Sequence, residues 1–316
     1  MVRPKVAIEF SHEFAAYFAG KEVTGWLTLS SPHKLKTEDV TVKIKGRAFT
    51  QWSKFHGKTS TTYIGEEKYI DEVVPIDWAP LAVKDSTLPS GEHKIPFSFR
   101  IDEKLPSSFE GSHGAVRYLA EAVVRRRKFH RGARCKRRFT VIGVVDLNRL
   151  QSVSCPVEMT ETNSITCCFR KRGNVDAFVR LAKRGALRAP GFVPGEKLDL
   201  SVTVRNLSSK PIDKLEVALK QHITYIGGTT FAKFQGRHES DYEISRSETQ
   251  LNLKPGENIV LNELTITTVP PLPPHLFNCS LIKITYCLHI DIGAFVFFDC
   301  PIVIGTVPVE DGMSEP

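Results

Sequence analysis

The sequence contains no long run of apolar residues. None of its 316 residues lie in a stretch that approaches the roughly 20 consecutive apolar residues of a membrane-spanning helix. The nearest candidate, residues 292–307, is interrupted by Asp299 and Pro301, and we interpret it as two strands. The apolar run within residues 1–14 is too short for a signal peptide, and acidic residues follow it at once. These absences predict a cytosolic protein.

The sequence also lacks the cysteine pattern of a disulfide-stabilised protein. Its seven cysteines are odd in number and their spacings fit no disulfide framework. In a chain without a secretory signal we expect reduced thiols, many of them small core residues. Cys167 and Cys168 are adjacent, but a zinc site needs about four ligands with a partner pair at suitable spacing. We therefore predict no metal and no cofactor.

Common catalytic motifs are absent as well. The sequence has no Gly-x-Ser-x-Gly, no His-Glu-x-x-His, no P-loop and no Gly-x-Gly-x-x-Gly. Its ten histidines are scattered without pairing. The sequence therefore predicts a protein that is not an enzyme and that has no catalytic residues.

What is present, from end to end, is the alternation of apolar and polar residues. The clearest alternating runs are residues 40–45, 116–124, 200–204, 215–220 and 282–291. A period of two indicates strands that bury one face and expose the other. Turn signals separate the runs at residues 89–91, 110–114, 255–256 and 270–274. Many short strands without amphipathic helices between them predict an all-β protein built from antiparallel sandwiches.

Length and an internal similarity predict two domains. The chain is long for one sandwich and suits two of about 150 residues each. The segment GKEVTGWLTLS at 20–30 resembles PGEKLDLSVTVRN at 194–206, because each is a turn that leads into an alternating strand. The alternation is lost between residues 146 and 170. The predicted organisation is an N-terminal sandwich at 1–148, a linker at 149–168, a C-terminal sandwich at 169–309 and a short tail at 310–316.

Positive charge is concentrated in one segment of the first half. Residues 1–150 carry 26 Lys and Arg against 17 Asp and Glu, whereas residues 151–316 carry 17 against 18. Residues 125–138 include nine basic residues and no acidic one, and the flanking alternation predicts a hairpin that turns near residues 130–132. Because guanidinium groups bind phosphates and carboxylates well, we predict an anion-binding site there. The alternative is a solvated, solubilising hairpin. The predicted site residues are Arg125, Arg126, Arg127, Lys128, Arg131, Arg134, Lys136, Arg137 and Arg138.

Two further segments have both a functional and a structural interpretation. A second basic cluster, which we expect to be solvated surface, contains Arg170, Lys171, Arg172, Arg180, Lys183, Arg184 and Arg188. The run PPLPP at 270–274 is compatible with recognition by an SH3 domain. Such a run is more often an ordered loop between strands, and we favour that interpretation.

Several segments resemble the alpha-arrestin family of arrestin domain-containing proteins. The most specific is residues 88–118, where Gly-x-His, Pro-Phe-x-Phe and Leu-Pro-x-Ser-Phe-Glu-Gly follow one another. The others are Asp-Leu-Asn at 146–148, residues 191–212 and residues 299–309, in family-like order over nearly the whole chain. The resemblance implies the arrestin fold, which is two tandem antiparallel β-sandwiches of immunoglobulin-like architecture.

The same resemblance implies a non-enzymatic adaptor in membrane-protein trafficking. The expected partners are cytoplasmic regions of membrane proteins, HECT-type ubiquitin ligases and anionic lipid headgroups. The expected location is the cytoplasm, peripheral at the plasma membrane and endosomes. The chain departs from the family pattern because it has no Pro-Pro-x-Tyr motif, which the WW domains of such ligases bind.

Three other functions fit part of the sequence. A peripheral lipid-binding protein would use residues 125–138 on anionic membranes, and reversal of Arg125, Arg126 and Arg127 to Glu would then abolish liposome binding. A nucleic-acid-binding module would use the same segment, but only Phe129 and Phe139 are nearby for base stacking, so no nucleic acid is expected. A retromer-like sorting subunit shares the arrestin-like fold, but residues 88–118 favour the alpha-arrestin branch.

Overall fold

The alternating segments form strands in the structure, which is a computed structural model. It describes residues 4–37, 39–76, 87–126, 132–150, 152–153, 157–167, 170–181, 185–186, 189–229 and 235–309. Within these ranges the chain consists of strands, turns and irregular segments, with no helix. The predicted all-β fold class is therefore confirmed.

The chain divides into two compact units, and the first contains most of the N-terminal half. It comprises Met1–Val144, Tyr225–His238 and Leu276–Ile282. Its strands are β1 (Lys5–Phe10), β2 (Ala16–Phe18), β3 (Glu22–Ser31), β4 (Leu35–Lys36), β5 (Asp39–His56), β6 (Thr59–Val74), β7 (Thr87–Leu88), β8 (Gly91–Arg100), β9 (Phe109–Glu110), β10 (Gly114–Arg125) and β11 (Ala133–Ile142).

The strands of the first unit form two sheets whose apolar faces pack together. One has the order β1-β3-β8, and the other runs β6-β5-β10-β11-β2, with β9 beside β10 and a separate β4–β7 pair. The alternation explains the packing, because Leu27 of β3 and Ile44 of β5 are buried while their neighbours along each strand are less so. The rings of Phe99 and Phe139 meet between the sheets, edge to face, with centroids 5.6 Å apart.

The second unit contains most of the C-terminal half. It comprises Val145–Thr224, Glu239–His275 and Lys283–Pro316. The remaining strands, which begin in this half of the chain, are β12 (Ser152–Val153), β13 (Val157–Cys167), β14 (Arg170–Leu181), β15 (Gly185–Ala186), β16 (Ala189–Phe192), β17 (Lys197–Ser208), β18 (Ile212–Thr229), β19 (Gln235–Leu253), β20 (Asn258–Thr268), β21 (Ile282–Ile292) and β22 (Val296–Ile304).

The second unit repeats the arrangement of two sheets. One sheet has the order β13-β14-β17-β20, and the other places β16, β22, β21 and β18 side by side, with β19 paired to β18. Val202 of β17, Val217 of β18 and Leu288 of β21 are among its buried residues. Each lies in a run whose alternation predicts burial on one face.

The segment around Asp146 joins two of the family-like motifs within the second unit. Asp146 Oδ1 accepts hydrogen bonds from the Asn148 backbone N–H and side-chain amide, both at 3.0 Å. The same Asn148 amide donates to the carbonyl oxygen of Pro308 at 2.8 Å. The Asp-Leu-Asn motif therefore fixes the chain that follows β22.

Two segments from later in the chain pack in the first unit. Gly228 and Thr229 at the end of β18 pair antiparallel with Ile64 and Tyr63 of β6. The Glu67 carboxylate accepts hydrogen bonds from the backbone N–H and hydroxyl of Ser280, at 2.9 and 2.8 Å. Each predicted domain is one continuous range of residues, so the prediction did not assign these two segments to the first unit.

Two sequence-based expectations were wrong in detail. The predicted linker contains β13, which pairs with β14; its residues 158–164 are largely polar on both faces, so alternation could not reveal it. The break in residues 292–307 lies at the turn Gly293–Phe295, and β22 runs through Asp299 and Pro301. Pro301 fits there because β16, on the other side of β22 from β21, pairs only with Val303 and Ile304.

Candidate functional site

The predicted basic hairpin is formed by β10 and β11. These strands pair antiparallel from Tyr118 with Phe139 to Val124 with Ala133, so the hairpin is confirmed in its described part. Arg125 ends β10, is exposed and lies opposite Asp39 of β5. Arg126 follows, with its Nε 3.5 Å from the Lys36 carbonyl oxygen. Three of the predicted site residues lie outside the described residues: Arg127, Lys128 and Arg131.

The strand register separates the remaining cations of β11 into two groups. Arg134, Lys136 and Arg138 alternate along β11, and their partners on β10 are Val123, Glu121 and Leu119. Because directly opposed residues share a face, these three cations lie on the outer face of the sheet, away from the sandwich core. Arg137 is opposite the buried Ala120. It therefore lies on the other face of the sheet from these three cations.

A carboxylate that the charge count did not single out lies at the centre of these cations. The Glu121 side chain is 3% exposed, and its oxygens lie 2.7 Å from Lys45 Nζ, 3.1 Å from Arg134 Nε and 3.6 Å from Lys136 Nζ. The hydrogen bond from Lys45, followed by the nearby positive charges, holds the pKa of the Glu121 carboxyl below its ordinary value. Glu121 therefore stays ionised and holds three cations in place.

Further cations from β5, β6 and β10 extend the basic surface beyond the hairpin. Arg47 of β5 is directly opposite Arg117 of β10 on one side and Lys68 of β6 on the other. These three residues line a shallow groove of about 660 Å³ together with Lys45, Lys136 and Arg138. The carboxylates Glu66 and Asp71 also line this groove. We call the six cations Lys45, Arg47, Lys68, Arg117, Lys136 and Arg138 the basic groove.

Two carboxylates offset the repulsion between the opposed cations. Arg47 pairs with Glu66 at 3.0 Å. Arg117 donates two hydrogen bonds of 2.6 Å to Glu110, and its guanidinium lies over the Phe49 ring, 4.7 Å from the centroid. The pKa of the Glu110 carboxyl is lowered chiefly by these hydrogen bonds.

Two cations of the basic groove form no salt bridge with a carboxylate in the part of the chain that the structure describes, although Arg138 is close enough to help lower the pKa of Glu110. No described carboxylate lies within 4.0 Å of Lys68 Nζ or of the Arg138 guanidinium. Both line the groove beside Arg117, which is already fixed by Glu110. The arrangement is suited to bind an anion, because two unpaired cations face it and their neighbours are pre-oriented.

The second basic cluster is only partly described. Arg170, Lys171 and Arg172 belong to β14, and Arg180 pairs with Glu158 at 3.5 Å with both side chains half exposed. Lys183, Arg184 and Arg188 lie outside the described residues. Arg180 is thus the one member whose side chain the structure describes, and it forms an ion pair at the surface.

The thiols and the proline run have structural surroundings. Cys135, Cys279, Cys287 and Cys300 are free thiols, and within the described ranges no three His, Cys, Asp or Glu side chains are grouped to hold a metal. Residues 270–274 form an ordered loop between β20 and β21, where the Tyr286 hydroxyl donates to the Pro273 carbonyl oxygen at 2.6 Å. No helix long and apolar enough to cross a membrane is found in the described residues.

Comparison with known proteins agrees with the two-unit division into β-sandwiches. Residues 6–148 match the family model "Arrestin (or S-antigen), N-terminal domain", and residues 186–309 match "Arrestin (or S-antigen), C-terminal domain". The chain is 32% identical over 312 residues to arrestin domain-containing protein 17 of Caenorhabditis elegans, covering 95% of this chain and 70% of that protein.

Two human proteins are also similar. Arrestin domain-containing protein 4 is 24% identical over 303 residues, covering 92% of this chain and 68% of the human protein. Arrestin domain-containing protein 5 is 30% identical over 237 residues, covering 73% of this chain and 66% of the human protein. The similarity thus extends through both sandwiches.

Proposed function

Because the chain belongs to the alpha-arrestin branch of the arrestin family, we propose that it is an adaptor that binds cytoplasmic regions of membrane proteins. Arrestin-domain proteins are generally trafficking adaptors without catalytic activity. The proposed role is to deliver bound receptors or transporters to endocytosis, sorting or ubiquitination. The observation that supports it most directly is the pair of family matches in tandem along the chain.

The basic groove is the surface we propose for recognition of these cytoplasmic regions. Its unpaired Lys68 and Arg138 would bind acidic or phosphorylated residues, while Glu110 and Glu121 keep their neighbours oriented. Charge complementarity of this kind mainly accelerates association and selects the partner. The proposed surface is larger than the site predicted from the sequence, since four of the six groove cations lie outside residues 125–138.

Charge reversal within the groove tests this proposal. We would titrate an Asp- and Glu-rich peptide and its Asn and Gln counterpart by fluorescence polarisation, using native protein and the double variant Lys68→Glu, Arg138→Glu. The expected result is at least about a tenfold loss of affinity for the acidic peptide only, since two unpaired cations become anions. The matched control is Arg205→Glu with Lys254→Glu, two exposed cations of the second unit. Equal losses in both variants, or none in either, would contradict a specific site.

Binding of membrane proteins in cells is the second test. We expect proximity labelling with the native chain to recover membrane proteins with acidic cytoplasmic segments, and the double variant to recover fewer. A labelled chain should locate to the cytoplasm and to the periphery of the plasma membrane and endosomes. Recovery of the same membrane proteins by both chains would refute the role of the groove.

A ubiquitin ligase of the HECT type is a further proposed partner. The sequence has no Pro-Pro-x-Tyr motif, so the contact would use a different surface from the one typical of the family. Co-precipitation with a panel of such ligases, with WW-domain ligands as competitors, measures binding of the ligase to this chain directly. Loss of the ligase on competition would show that a WW domain is involved after all.

Anionic lipid binding is a second candidate function, because Arg125 is exposed at the end of β10 and the partly exposed Arg126 follows it. Liposome sedimentation with and without an acidic phospholipid tests it. If lipid is the ligand, reversal of Arg125, Arg126 and Arg127 to Glu abolishes sedimentation. If the acidic peptide is the ligand, that variant still binds it through the groove.

A further inference from the structure

A second cavity lies beside the basic groove and differs from it in chemistry. It has a volume of about 340 Å³, and its apolar lining comes from Phe14, Phe109, Val116 and Phe139. Arg117 and Arg138 line this cavity as well as the groove. We call it the Phe14 cavity. A ligand that is bound by Arg138 is therefore adjacent to an apolar cavity as well as to the other groove cations.

Phe14 is unusually exposed for an aromatic side chain on an ordered turn. It is 77% exposed, and it precedes Ala15, whose φ of 48° places that residue in the left-handed region. The turn is held by hydrogen bonds from Ala15 N to the His12 carbonyl oxygen at 2.9 Å and from Thr140 N to the Ala15 carbonyl oxygen at 2.8 Å. The ring is thus presented on a fixed backbone, which lowers the entropy lost on binding.

The other walls of the Phe14 cavity are rigid. Phe109 and Phe139 are buried, and Phe139 packs edge to face against Phe99. Arg117 is held by its two hydrogen bonds to Glu110 and by its position over Phe49. A cavity with rigid apolar walls and cations at its rim favours a ligand that has an apolar group close to a negative charge.

This combination discriminates between classes of anion. An inositol phosphate or a lipid headgroup is polar throughout and leaves the apolar walls without a partner. A peptide can place a carboxylate or phosphate at Arg138 and a neighbouring side chain beside Phe14. We propose that the basic groove and the Phe14 cavity together bind an acidic peptide segment with an aromatic or bulky aliphatic residue next to its anionic residues. This inference rests on the proposed adaptor function and specifies which cytoplasmic segments it recognises.

Peptide pairs test the proposal with the purified 316-residue chain. The probes are fluorescein-labelled peptides of Asp and Glu with one Phe at each position in turn, and the same peptides with Ala for Phe. We expect the best Phe peptide to bind about tenfold tighter than its Ala counterpart, as partial burial of one aromatic ring provides. Phe14→Ala should abolish that difference, and Phe14→Leu should retain much of it.

Three further variants separate this inference from the proposed function. Phe55→Ala, which removes another exposed phenylalanine, should leave both peptides unaffected. Arg138→Ala should weaken the Phe and Ala peptides alike. If Arg138→Ala weakens both peptides but Phe14→Ala changes neither, the aromatic specificity is wrong and the anion site stands. If Arg138→Ala and Lys68→Ala change neither peptide, both proposals fail. Tighter binding of inositol hexakisphosphate than of every Phe peptide would also overturn the inference.

Discussion

The imidazole rings of His113 and His238 meet in the first unit with their centroids 4.0 Å apart and their planes at 67°. Trp52 and Tyr225 complete an aromatic cluster around His238, at 5.9 and 6.4 Å. This cluster holds the start of β19 against the loop before β10. His113 lies close enough to disfavour a positive charge on His238.

The histidine pair predicts an acid-sensitive contact. Burial, then His113 and then Lys54 lower the pKa of His238 from its ordinary value, so the folded protein resists its protonation. Its contribution to stability is present above about pH 6.5 and is lost as the pH falls through the lowered pKa. We expect the protection factors of residues 225–229, which are exchange rates corrected for the intrinsic effect of pH, to fall between neutral and mildly acidic pH. In His238→Phe this fall should be smaller, and an unchanged pH dependence of the protection factors would contradict the prediction.

A partly buried histidine of the second unit, His275, should have a larger effect on stability. Burial lowers the pKa of His275 to about 4, and its Nδ1 accepts a hydrogen bond from the Ile304 backbone N–H at 3.3 Å. The neutral form is favoured in the folded state, so up to about 3 kcal/mol of stability is lost between pH 6.5 and 4. His275→Asn keeps an acceptor but does not titrate. Urea unfolding across this range should show a flatter pH dependence than in native protein or the exposed-site control His33→Asn.

Removal of the charge on Glu121 should weaken the fold and strengthen anion binding. In Glu121→Gln the cations Lys45, Arg134 and Lys136 lose their shared counter-ion. We expect a loss of about 1–2 kcal/mol at pH 7, modest because the three cations are half exposed. The freed cations should bind the acidic peptide several-fold more tightly. Glu66→Gln, which removes an exposed partner of Arg47, should change stability less. Equal stability of the two variants would be evidence against the central role of Glu121.

Asn206 should be among the most sensitive polar residues of the second unit. It is fully buried, and its side-chain amide donates to the carbonyl oxygens of Lys210 and Leu253 at 2.7 and 3.2 Å. Its Oδ1 accepts from the Ser208 backbone N–H and hydroxyl at 3.1 and 2.7 Å. Asn206→Ala removes the hydrogen-bond partner of these backbone and hydroxyl groups. We expect the free energy of unfolding to fall by about 2–4 kcal/mol. Chemical denaturation should show this loss, whereas the exposed Asn258→Ala should lose little.

Sequence alone was sufficient for the fold class and for the strands with the clearest alternation. The period of two identified β10, β17 and β21, because an apolar residue at every second position is compatible with burial of one face only. The turn at residues 255–256 was confirmed, with Gly256 at a positive φ of 85°. The resemblance of residues 88–118 to alpha-arrestins also identified the family, and the comparisons confirm it.

The candidate site was predicted only in part. Residues 125–138 stand out because their charges are consecutive, and the structure places Lys136 and Arg138 in the basic groove. Lys68 and Arg117 are isolated cations in the sequence, and Lys45 and Arg47 lie in an ordinary alternating strand, so no local pattern marks them as a site. They became part of one surface only through the pairing of β5, β6, β10 and β11.

The chemistry of each strand is thus encoded locally, in the order of its residues. Which strand lies beside which, and in what register, depends on contacts between residues far apart in the chain, and a shift of one residue would turn every side chain to the other face. Tertiary structure therefore decided that Glu121 is buried among three cations and that Phe14 lies beside Arg138. It also decided that Arg137 lies on the other face of the sheet from the neighbouring cations of β11.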